Sequence, residues 1–294
     1  MIKNLPETGG FLYFLFYNLS MLIRIFIIII VFYLIAIYPD TSRKSMMTPY
    51  EKRFIAHRGL FDNKAIPENS LPAFHKAVAN HYGIELDLQL TKDDRIVVFH
   101  DNTLERMTSV KGNLRDFTYE ELREFHLLDS SETIPLFSDV LKILHPDTPL
   151  IIELKGEYRP IETVMKAVEL VRNYKGLYIM ESFNPQIIRY LRVNEPQIIR
   201  GQLSYNYLAD PDRLFNYPLS FMLSYLMFNI YTRPDFVAYD CESASNLSFQ
   251  IISRLFKAEC VAWTVKSKEQ FEEKKHLYQC FIFDSYIPDN DDLA

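Results

Sequence analysis

The sequence lacks the cysteine spacing of a disulfide-rich or zinc-binding protein. Its 294 residues include three cysteines, Cys241, Cys260 and Cys280, which are widely separated and odd in number. Such a set forms neither a disulfide framework nor a zinc-ligand pattern. It favours a reducing compartment only weakly, because many exported proteins also lack disulfides.

The sequence also lacks an excess of positive charge. It has 32 Lys and Arg residues against 38 Asp and Glu residues, and the formal net charge is −6. A general nucleic-acid binder needs a basic face, so nucleic acid is excluded as the expected partner. Hydrophobic residues make up 48% of the chain, which indicates a large buried core rather than disorder.

A long apolar run from Phe11 to Tyr38 lies at the N-terminus. A helix of roughly 20 residues crosses the hydrocarbon core of a bilayer, so this run is long enough to span one. Arg24 lies inside the run, and its charge must reach an interface. The predicted span therefore begins at Ser20 or Met21 and ends near Tyr38.

Two alternatives to a membrane span fit this run less well. A cleaved signal peptide has a shorter apolar core, and no small-x-small cleavage site follows Tyr38. A buried core helix of a soluble protein would show a polar face with helical period, and none recurs here. We therefore predict that residues 1–44 form a single membrane anchor and linker, followed by one domain over residues 45–294.

Basic residues on the two sides of the span predict its orientation. Lys3 precedes the span, whereas four basic residues follow it: Arg43, Lys44, Lys52 and Arg53. Loops rich in Lys and Arg stay on the cytoplasmic side of a membrane. The domain that follows the span is therefore expected in the cytoplasm.

Apolar strand-like runs alternate with helical stretches through the rest of the chain, which predicts a parallel (β/α)8 barrel of the TIM type. The predicted strands are Phe54–His57, Ile84–Leu90, Leu150–Lys155, Leu177–Phe183, Ile198–Leu203, Phe236–Tyr239, Cys260–Val265 and Cys280–Phe283. A doubly wound open sheet would carry a glycine-rich loop after its first strand, and the sequence has none.

Two segments after the second strand depart from the barrel pattern. Ile96–His100 follows a turn of only five residues, so it can pair with the second strand as an antiparallel hairpin but not as a parallel crossover. Residues 104–136 are polar and irregular, which predicts a small insertion with short elements of its own. The uncharged stretch Tyr217–Tyr231 is predicted as a packed barrel helix in preference to an interfacial helix that contacts a bilayer.

Carboxylates on the predicted strands form a candidate metal site. Glu85 and Asp87 share one face of their strand, opposite its leucines, and Glu153 lies near the end of the next barrel strand. Oxygen ligands suit Mg²⁺ and Ca²⁺, and also Mn²⁺, whereas no Cys/His cluster suggests zinc. Each carboxylate taken alone could equally be a solvated strand face.

Histidines and cations at the same strand ends add the chemistry of phosphoryl transfer. His57 and His100 can act as a general base and a general acid, since imidazole titrates near neutral pH. Arg58 and Lys155 can neutralise phosphate oxygens, although Lys155 could also pair with a nearby glutamate on the surface. A cation would polarise a phosphoryl oxygen, so the combination predicts a metal-assisted phosphodiester site.

Seven motifs then occur in the order seen in the glycerophosphodiester phosphodiesterase family, and this resemblance covers residues 54–285. They are His57-Arg58-Gly59, Pro67-Glu68-Asn69-Ser70, Glu85-Leu86-Asp87, His100-Asp101-Asn102-Thr103-Leu104, Glu153-Leu154-Lys155, Ser182-Phe183 and Trp263-Thr264. Two positions depart from the family pattern: Ser70 replaces a frequent threonine, and Phe283-Asp284-Ser285-Tyr286 replaces a common Thr-Asp-Tyr-Pro.

The resemblance implies a fold and a set of roles. The family's fold is a TIM barrel with a small insertion after its second strand. By resemblance, His57 and His100 are the acid/base pair, and Arg58 and Lys155 hold the phosphate. The remaining assignments are Glu85, Asp87 and Glu153 as ligands of one divalent cation, and Glu68, Phe183 and Trp263 as the lining of the site. For the two aromatic residues, a core position is the alternative.

The reaction expected is hydrolysis of a glycerophosphodiester to sn-glycerol 3-phosphate and an alcohol. The sequence leaves open whether water or the glycerol hydroxyl attacks first. Cleavage of membrane lysophospholipids in the manner of a phospholipase D is the nearest alternative substrate. A barrel that only binds phosphodiester headgroups is disfavoured because no histidine, carboxylate ligand or cation of the motifs is missing. A metal-free phosphoinositide lyase is disfavoured by the three carboxylates.

Overall fold

The computed structural model describes residues 7–211 and 214–293. Nine strands lie in this part of the chain: β1 Arg53–Ala56, β2 Gly83–Leu90, β3 Ile96–Val98, β4 Leu150–Leu154, β5 Tyr178–Ser182, β6 Arg200–Ser204, β7 Phe236–Asp240, β8 Glu259–Val265 and β9 Cys280–Phe283. Lys3, used above for the orientation, lies outside the described residues, so the orientation stays a prediction.

Eight of these strands close into a parallel barrel. The order around it is β1-β9-β8-β7-β6-β5-β4-β2, and pairing of β1 with β2 completes the ring. Strand β3 is the exception, because it pairs antiparallel with the end of β2. The (β/α)8 prediction and the hairpin prediction are both confirmed.

Helices and single turns connect the strands. The α-helices are α1 Glu7–Ile37, α2 Leu71–Ala79, α3 Glu105–Thr108, α4 Tyr119–Leu122, α5 Phe137–Ile143, α6 Pro160–Val171, α7 Pro185–Asn194, α8 Tyr217–Ser224, α9 Asn229–Thr232, α10 Leu247–Gln250 and α11 Lys268–Lys274. A π-helical segment, Ile251–Leu255, continues α10. The Ser70 side chain accepts a hydrogen bond from the Ala73 amide and caps α2.

Side-chain alternation divides the barrel into two cores. Apolar residues at one parity, such as Ile55, Ile151 and Ile282, fill the barrel interior, whereas neighbours such as Phe54 and Leu86 pack under the helices. Because the period of a strand is two, the residue two positions after an interior isoleucine also points inward. This rule delivers the site residues described below to the carboxyl end of the barrel, here called the mouth.

The insertion after β2 has a small core of its own. Eight buried apolar side chains form this cluster: Val97, Phe99, Leu104, Met107, Leu114, Leu122, Leu127 and Ile134. A capping box at Thr118 and Glu121 starts its helix α4. The short elements predicted for this polar segment are present, and the cluster packs them together.

The N-terminal helix α1 is long and apolar enough to cross a membrane over Phe16–Ile37. Most of its described side chains are exposed, but its last turn packs on the barrel. Ile37 is fully buried, its carbonyl accepts a hydrogen bond from Asn229, and the Tyr33 hydroxyl lies 2.6 Å from that of Ser248. The helix ends at Ile37, next to the predicted end of the span at Tyr38, and its last turn also forms part of the barrel wall.

The segment between α1 and β1 closes the amino end of the barrel, here called the floor. The polar sequence of Thr48–Arg53 predicts a short exposed linker, and this prediction is wrong for Tyr50, which is buried. Met47 and Tyr50 are each 2% exposed and pack against the interior isoleucines of the barrel. Arg43 and Lys44 also reach buried carboxylates on the floor, those of Asp235 at 3.4 Å and Glu259 at 3.0 Å.

The stretch Tyr217–Tyr231 forms two short helices, α8 and the start of α9. Leu223 and Leu226 are buried, which agrees with the predicted packing against the barrel. The opposite face of the stretch, including Tyr217 at 62% exposed, points away from the barrel. Only one face of this stretch therefore contributes to the core.

Candidate active site

Three carboxylates meet inside the barrel mouth. Glu85 and Asp87 lie on β2, and Glu153 lies on β4 directly opposite Asp87 in the strand register. One oxygen from each lies within 4.8 Å of the other two, and all three residues are buried. The face predicted from the alternation of β2 is therefore the lining of the mouth, with the leucines of β2 packed under the helices.

Burial and mutual repulsion perturb this cluster. Burial, and then the charges of Asp87 and Glu153, raise the pKa of Glu85 well above its ordinary value. Burial also raises the pKa of Glu153. Burial acts in the same direction on Asp87, but the charges of Lys155, His100 and Arg58 outweigh it and hold the pKa of Asp87 well below the usual range.

This donor set fits a hard divalent cation. Carboxylate oxygens are the ligands that Mg²⁺ and Ca²⁺ prefer, and a dication would relieve the repulsion that raises the pKa of Glu85. A fourth carboxylate, Glu181, lies on β5 in register with Glu153. Its Oε2 atom is buried without a hydrogen-bond partner among the described residues. The predicted ligands are thus brought together.

Glu181 was not predicted as a site residue. Burial, followed by the charges of Glu153 and Asp87, raises its pKa well above the ordinary value. Its sequence signal was present, because Glu181 immediately precedes the Ser182-Phe183 motif and has the parity of the interior residue Ile179. The motif begins at Ser182 and therefore does not include Glu181.

His57 stands at the edge of the carboxylate cluster. Its Nε2 atom is 4.0 Å from Oε2 of Glu85, and its Nδ1 atom is 3.0 Å from Oδ2 of Asp284. Burial lowers the pKa of His57, and the hydrogen bond to Asp284 opposes that shift. The imidazole is therefore oriented by Asp284 with Nε2 facing the cluster.

Asp284 is a second site residue that the sequence did not identify. It follows the interior residue Ile282 by two positions, at the end of β9. Burial alone would raise its pKa, but the hydrogen bonds with His57 and Ser285 lower it. In the sequence, Asp284 stands out only as part of Phe283-Asp284-Ser285-Tyr286, which departs from the family pattern.

Arg58 connects the carboxylate cluster to Glu68. Its backbone amide donates to Oε2 of Glu85 at 3.0 Å, and its guanidinium donates to Oε1 of Glu68 at 2.8 Å. Arg58 has a φ of +56°, and Gly59 follows at +81°. A Cβ at Gly59 would lie 2.8 Å from that of Ala73, so the turn that presents Arg58 requires glycine.

Glu68 is held by two arginines rather than lining open space. Arg106, from helix α3 of the insertion, donates to both of its oxygens at 2.7 and 3.0 Å. Burial opposes ionisation, but Arg106 and Arg58 together lower the pKa of Glu68 to about 2. Arg106 was not predicted, because nothing in its local sequence places α3 over the mouth.

His100 lies on the loop after β3, and Gln89 holds that loop in place. The Gln89 amide donates to the carbonyls of Phe99, His100 and Asp101 at 2.8–3.0 Å. The Nδ1 atom of His100 is 2.6 Å from Oδ1 of Asp101. Both histidines of the predicted pair thus have a carboxylate partner at Nδ1, which leaves Nε2 for other contacts.

Lys155 lies between two of the carboxylates. Its Nζ atom is 2.8 Å from Oδ1 of Asp87 and 2.8 Å from Oε1 of Glu153. Burial would lower the pKa of Lys155, but these two charges outweigh it and raise that pKa. Lys155 thus pairs with a glutamate, as the alternative proposed, but the pair is not on the surface, since the Lys155 side chain is only 10% exposed.

Aromatic side chains form one wall of the mouth. The ring of Phe183 is 5.4 Å from that of Trp263 and 6.1 Å from that of Tyr205, in edge-to-face geometry. Phe183 and Trp263 are half-buried and pack on the barrel interior. The wall extends from Tyr205 to Tyr207, and the centroids of these two rings are 4.0 Å apart. The two tyrosines were not predicted, although both follow β6 directly.

Comparison with known proteins agrees with this architecture. Residues 57–286 match the Glycerophosphoryl diester phosphodiesterase family. A glycerophosphodiester phosphodiesterase from Caldanaerobacter subterraneus is 36% identical over 169 residues, which cover 53% of this chain and 68% of that relative. Glycerophosphodiester phosphodiesterase 1 from Bos taurus is 28% identical over 290 positions, covering 86% and 83%.

Solved structures show the same fold. A phosphodiesterase from Oleispira antarctica, in complex with the product sn-glycerol-3-phosphate, superposes with a TM-score of 0.65 at 20% identity and covers 81% of this chain and 95% of that one. A glycerophosphodiester phosphodiesterase from Thermotoga maritima gives a TM-score of 0.61 at 24% identity, covering 79% and 94%.

Proposed function

The chain belongs to the Glycerophosphoryl diester phosphodiesterase family, and we propose that it hydrolyses glycerophosphodiesters to sn-glycerol 3-phosphate and an alcohol. One observation carries the proposal. His57, oriented by Asp284, directs Nε2 towards a buried cluster of three carboxylates at 4.0 Å from the nearest oxygen. A proton carrier beside a cation site is the arrangement that phosphodiester hydrolysis needs.

The proposed roles follow from position and charge. Glu85, Asp87 and Glu153 hold one divalent cation, Mg²⁺ or Ca²⁺ with Mn²⁺ as a further candidate. Such an ion, when bound, polarises a phosphoryl oxygen and offsets the charge that develops on it. His57 and His100 form the acid/base pair: one takes a proton from the attacking hydroxyl and the other donates a proton to the leaving alcohol.

Arg58 and Lys155 are proposed to contact the phosphate. Both cations lie against the carboxylate cluster, where charge-assisted hydrogen bonds to phosphate oxygens are strongest. Phe183 and Trp263 line the mouth on the side of β5 and β8. Glu68 holds Arg58 in place, because its Oε1 atom accepts a hydrogen bond from the Arg58 guanidinium at 2.8 Å.

We further propose that residues 1–44 anchor the enzyme in a membrane and that residues 45–294 form the catalytic domain, facing the cytoplasm. Helix α1 supports this proposal by its length, its composition and its exposed side chains, such as Phe26 at 63% and Ile28 at 66%. A membrane location favours a lysophospholipid as the second candidate substrate. Lysophosphatidic acid would then be the product in place of glycerol 3-phosphate.

The test uses the full chain in detergent micelles with glycerophosphocholine and lysophosphatidylcholine, each with Mg²⁺, with Ca²⁺ and with a chelator. We expect cation-dependent release of choline. His57→Ala and His100→Ala should each lower kcat by about 100-fold or more, the usual contribution of general acid–base catalysis. His145→Ala is the matched control, because His145 is exposed and lies before β4, at the floor.

Either of two results would contradict the proposal. One is turnover that is unchanged in the two histidine variants. The other is a folded protein that binds the cation and releases neither choline nor glycerol 3-phosphate, which would favour a headgroup-binding barrel. Comparing glycerol 3-phosphate with lysophosphatidic acid as products ranks the two substrates.

A further inference from the structure

The direction of α1 along the barrel is set by contacts at two heights. Near the mouth, Tyr33 contacts Ser248, which lies in the first turn of α10, the helix that follows the carboxyl end of β7. At the floor, the Tyr38 ring lies 4.9 Å from that of Phe256, just before β8 begins. The Tyr38 carbonyl there accepts a hydrogen bond from Arg233. Helix α1 therefore runs antiparallel to the barrel strands, from mouth to floor.

The part of α1 before Tyr33 consequently projects past the mouth. From Phe16 to Phe32 it rises about 24 Å at 1.5 Å per residue. Arg24 lies midway along this length, so its guanidinium must snorkel to an interface. Most side chains along this length are exposed, for example Ile27 at 53% and Phe32 at 59%. A bilayer crossed by this segment lies on the side of the mouth, because the floor lies beyond the opposite end of the helix.

The rim of the mouth, on the same side of the barrel, carries exposed apolar side chains. Leu214 is 89% exposed, on the connection between β6 and α8, and Tyr217 in the first turn of α8 is 62% exposed. Leu247, at the start of α10 beside α1, is 60% exposed. These three residues are here called the apolar rim.

The apolar rim is continuous with the aromatic wall of the site. Phe215, next to Leu214, has its ring 6.0 Å from that of Tyr207, which contacts Tyr205. The Tyr205 ring is in turn 6.3 Å from that of Trp263 in the mouth. A surface that rested on the rim would therefore border the entrance to the carboxylate cluster.

We propose that the mouth of the barrel rests on the bilayer that α1 spans, with the apolar rim in the interfacial layer. The proposal rests on the membrane anchor proposed above. Exposed Leu and Tyr side chains partition favourably into this layer. The phosphodiester then enters the site from the membrane plane. The floor, with Arg43 and Lys44 across it, faces away from the lipid.

The experiment places one fluorophore at a time on the full chain in phosphatidylcholine vesicles. Leu214→Cys and Leu247→Cys are labelled with an environment-sensitive dye at the rim. Val193→Cys and Leu255→Cys are the matched controls, because both residues are apolar and exposed, at 56% and 66%, and lie at the floor ends of their helices. The native cysteines are buried and stay unlabelled.

We expect a blue-shifted emission at the two rim positions and strong quenching by lipids that carry a nitroxide near the headgroup. The two floor positions should show the emission of dye in water and little quenching. Equal quenching at rim and floor, or stronger quenching at the floor, would overturn the proposal. The readout needs no turnover, so an inactive enzyme still tests it. A chain that does not float with the vesicles overturns the anchor and this orientation together.

A second measurement links the orientation to function. Leu214→Glu combined with Leu247→Glu should slow the hydrolysis of lysophosphatidylcholine presented in vesicles, while water-soluble glycerophosphocholine is hydrolysed at the unchanged rate. An equal loss on both substrates would indicate damage to the site itself and would contradict a role for the rim in contacting lipid.

Discussion

Asp284 shows how one side chain can determine the chemistry of another. It accepts a hydrogen bond from Nδ1 of His57 and so selects the tautomer whose Nε2 faces the cluster. Its charge also opposes the shift that burial imposes on the pKa of His57. The position therefore controls both the orientation of the imidazole and the pH at which it becomes protonated.

Replacing this carboxylate tests the assignment. We expect Asp284→Asn to lower kcat/KM by about 10- to 100-fold, in line with other residues that orient a catalytic or ligating histidine. Without the charge of Asp284 the pKa of His57 falls further, so the acidic limb of the pH profile should move to lower pH. The profile of kcat/KM against pH measures both effects.

Ser285→Ala is the control for this variant, because Ser285 contacts Asp284 without touching the imidazole. It should keep the wild-type profile. An Asp284→Asn enzyme with the wild-type rate and the wild-type acidic limb would remove Asp284 from the mechanism.

At this residue scale, the sequence predicted the parts of the site that share one strand. Glu85 and Asp87 were identified because strict alternation separates them from the leucines of β2. Asp284 and Arg106 were missed because their roles depend on which strand or helix lies beside them across the barrel. That information is tertiary, and no local pattern in a single sequence contains it.

At the scale of elements, the segment between α1 and β1 is a structural part of the floor. Lys44 lies 3.0 Å from Glu259, whose side chain is 1% exposed. Burial raises the pKa of Glu259, and Lys44 opposes that shift. A carboxylate in such a position is costly without its partner.

We expect Lys44→Met to lower the free energy of unfolding by about 1–2 kcal/mol, since Lys44 is half-exposed and part of the interaction is screened by water. Thermal unfolding of the full chain at pH 7 measures this as a fall in Tm of about 2–6 °C. Lys64→Met, at an exposed loop position, should leave Tm unchanged. An unchanged Tm in both variants would show that the contact on the floor contributes nothing.

Pattern alone could not show that this segment is buried. Met47 and Tyr50 are separated by three positions within a polar stretch, and neither helical nor strand periodicity is visible there. Their burial follows from the open end of a closed barrel, which needs side chains to fill it. Truncation before residue 45 also removes Arg43 and Lys44, so the full chain is the better material for the assays.

At the scale of the whole molecule, the carboxylate cluster couples folding to pH and to cations. Glu85 has a folded pKa raised above its unfolded value. Its contribution to stability is therefore present below the unfolded pKa and is lost as pH rises through the folded pKa. A bound cation requires the ionised form, so stabilisation by Mg²⁺ or Ca²⁺ should grow over the same rise in pH.

Two variants with opposite expected effects on stability test this coupling. Their thermal unfolding is measured with and without cation, from pH 5 to pH 8. Glu85→Gln should preserve or raise the cation-free stability at pH 8 and abolish the response to cation. Asp87→Asn should lower the cation-free stability by about 3 kcal/mol, because Lys155 loses one of two buried partners. The same change in both variants would contradict the distinct environments of the two carboxylates.

The joint between α1 and the barrel has a mechanical consequence. The buried Ile37, the bond from Asn229 and the floor contacts of Arg43 and Lys44 leave no hinge between helix and barrel. Because of this rigid connection, the catalytic domain can move very little relative to the membrane that α1 spans. With α1 inserted, the enzyme would work in cis, on molecules that diffuse laterally to it within its own leaflet, and a neighbouring membrane would lie beyond its range.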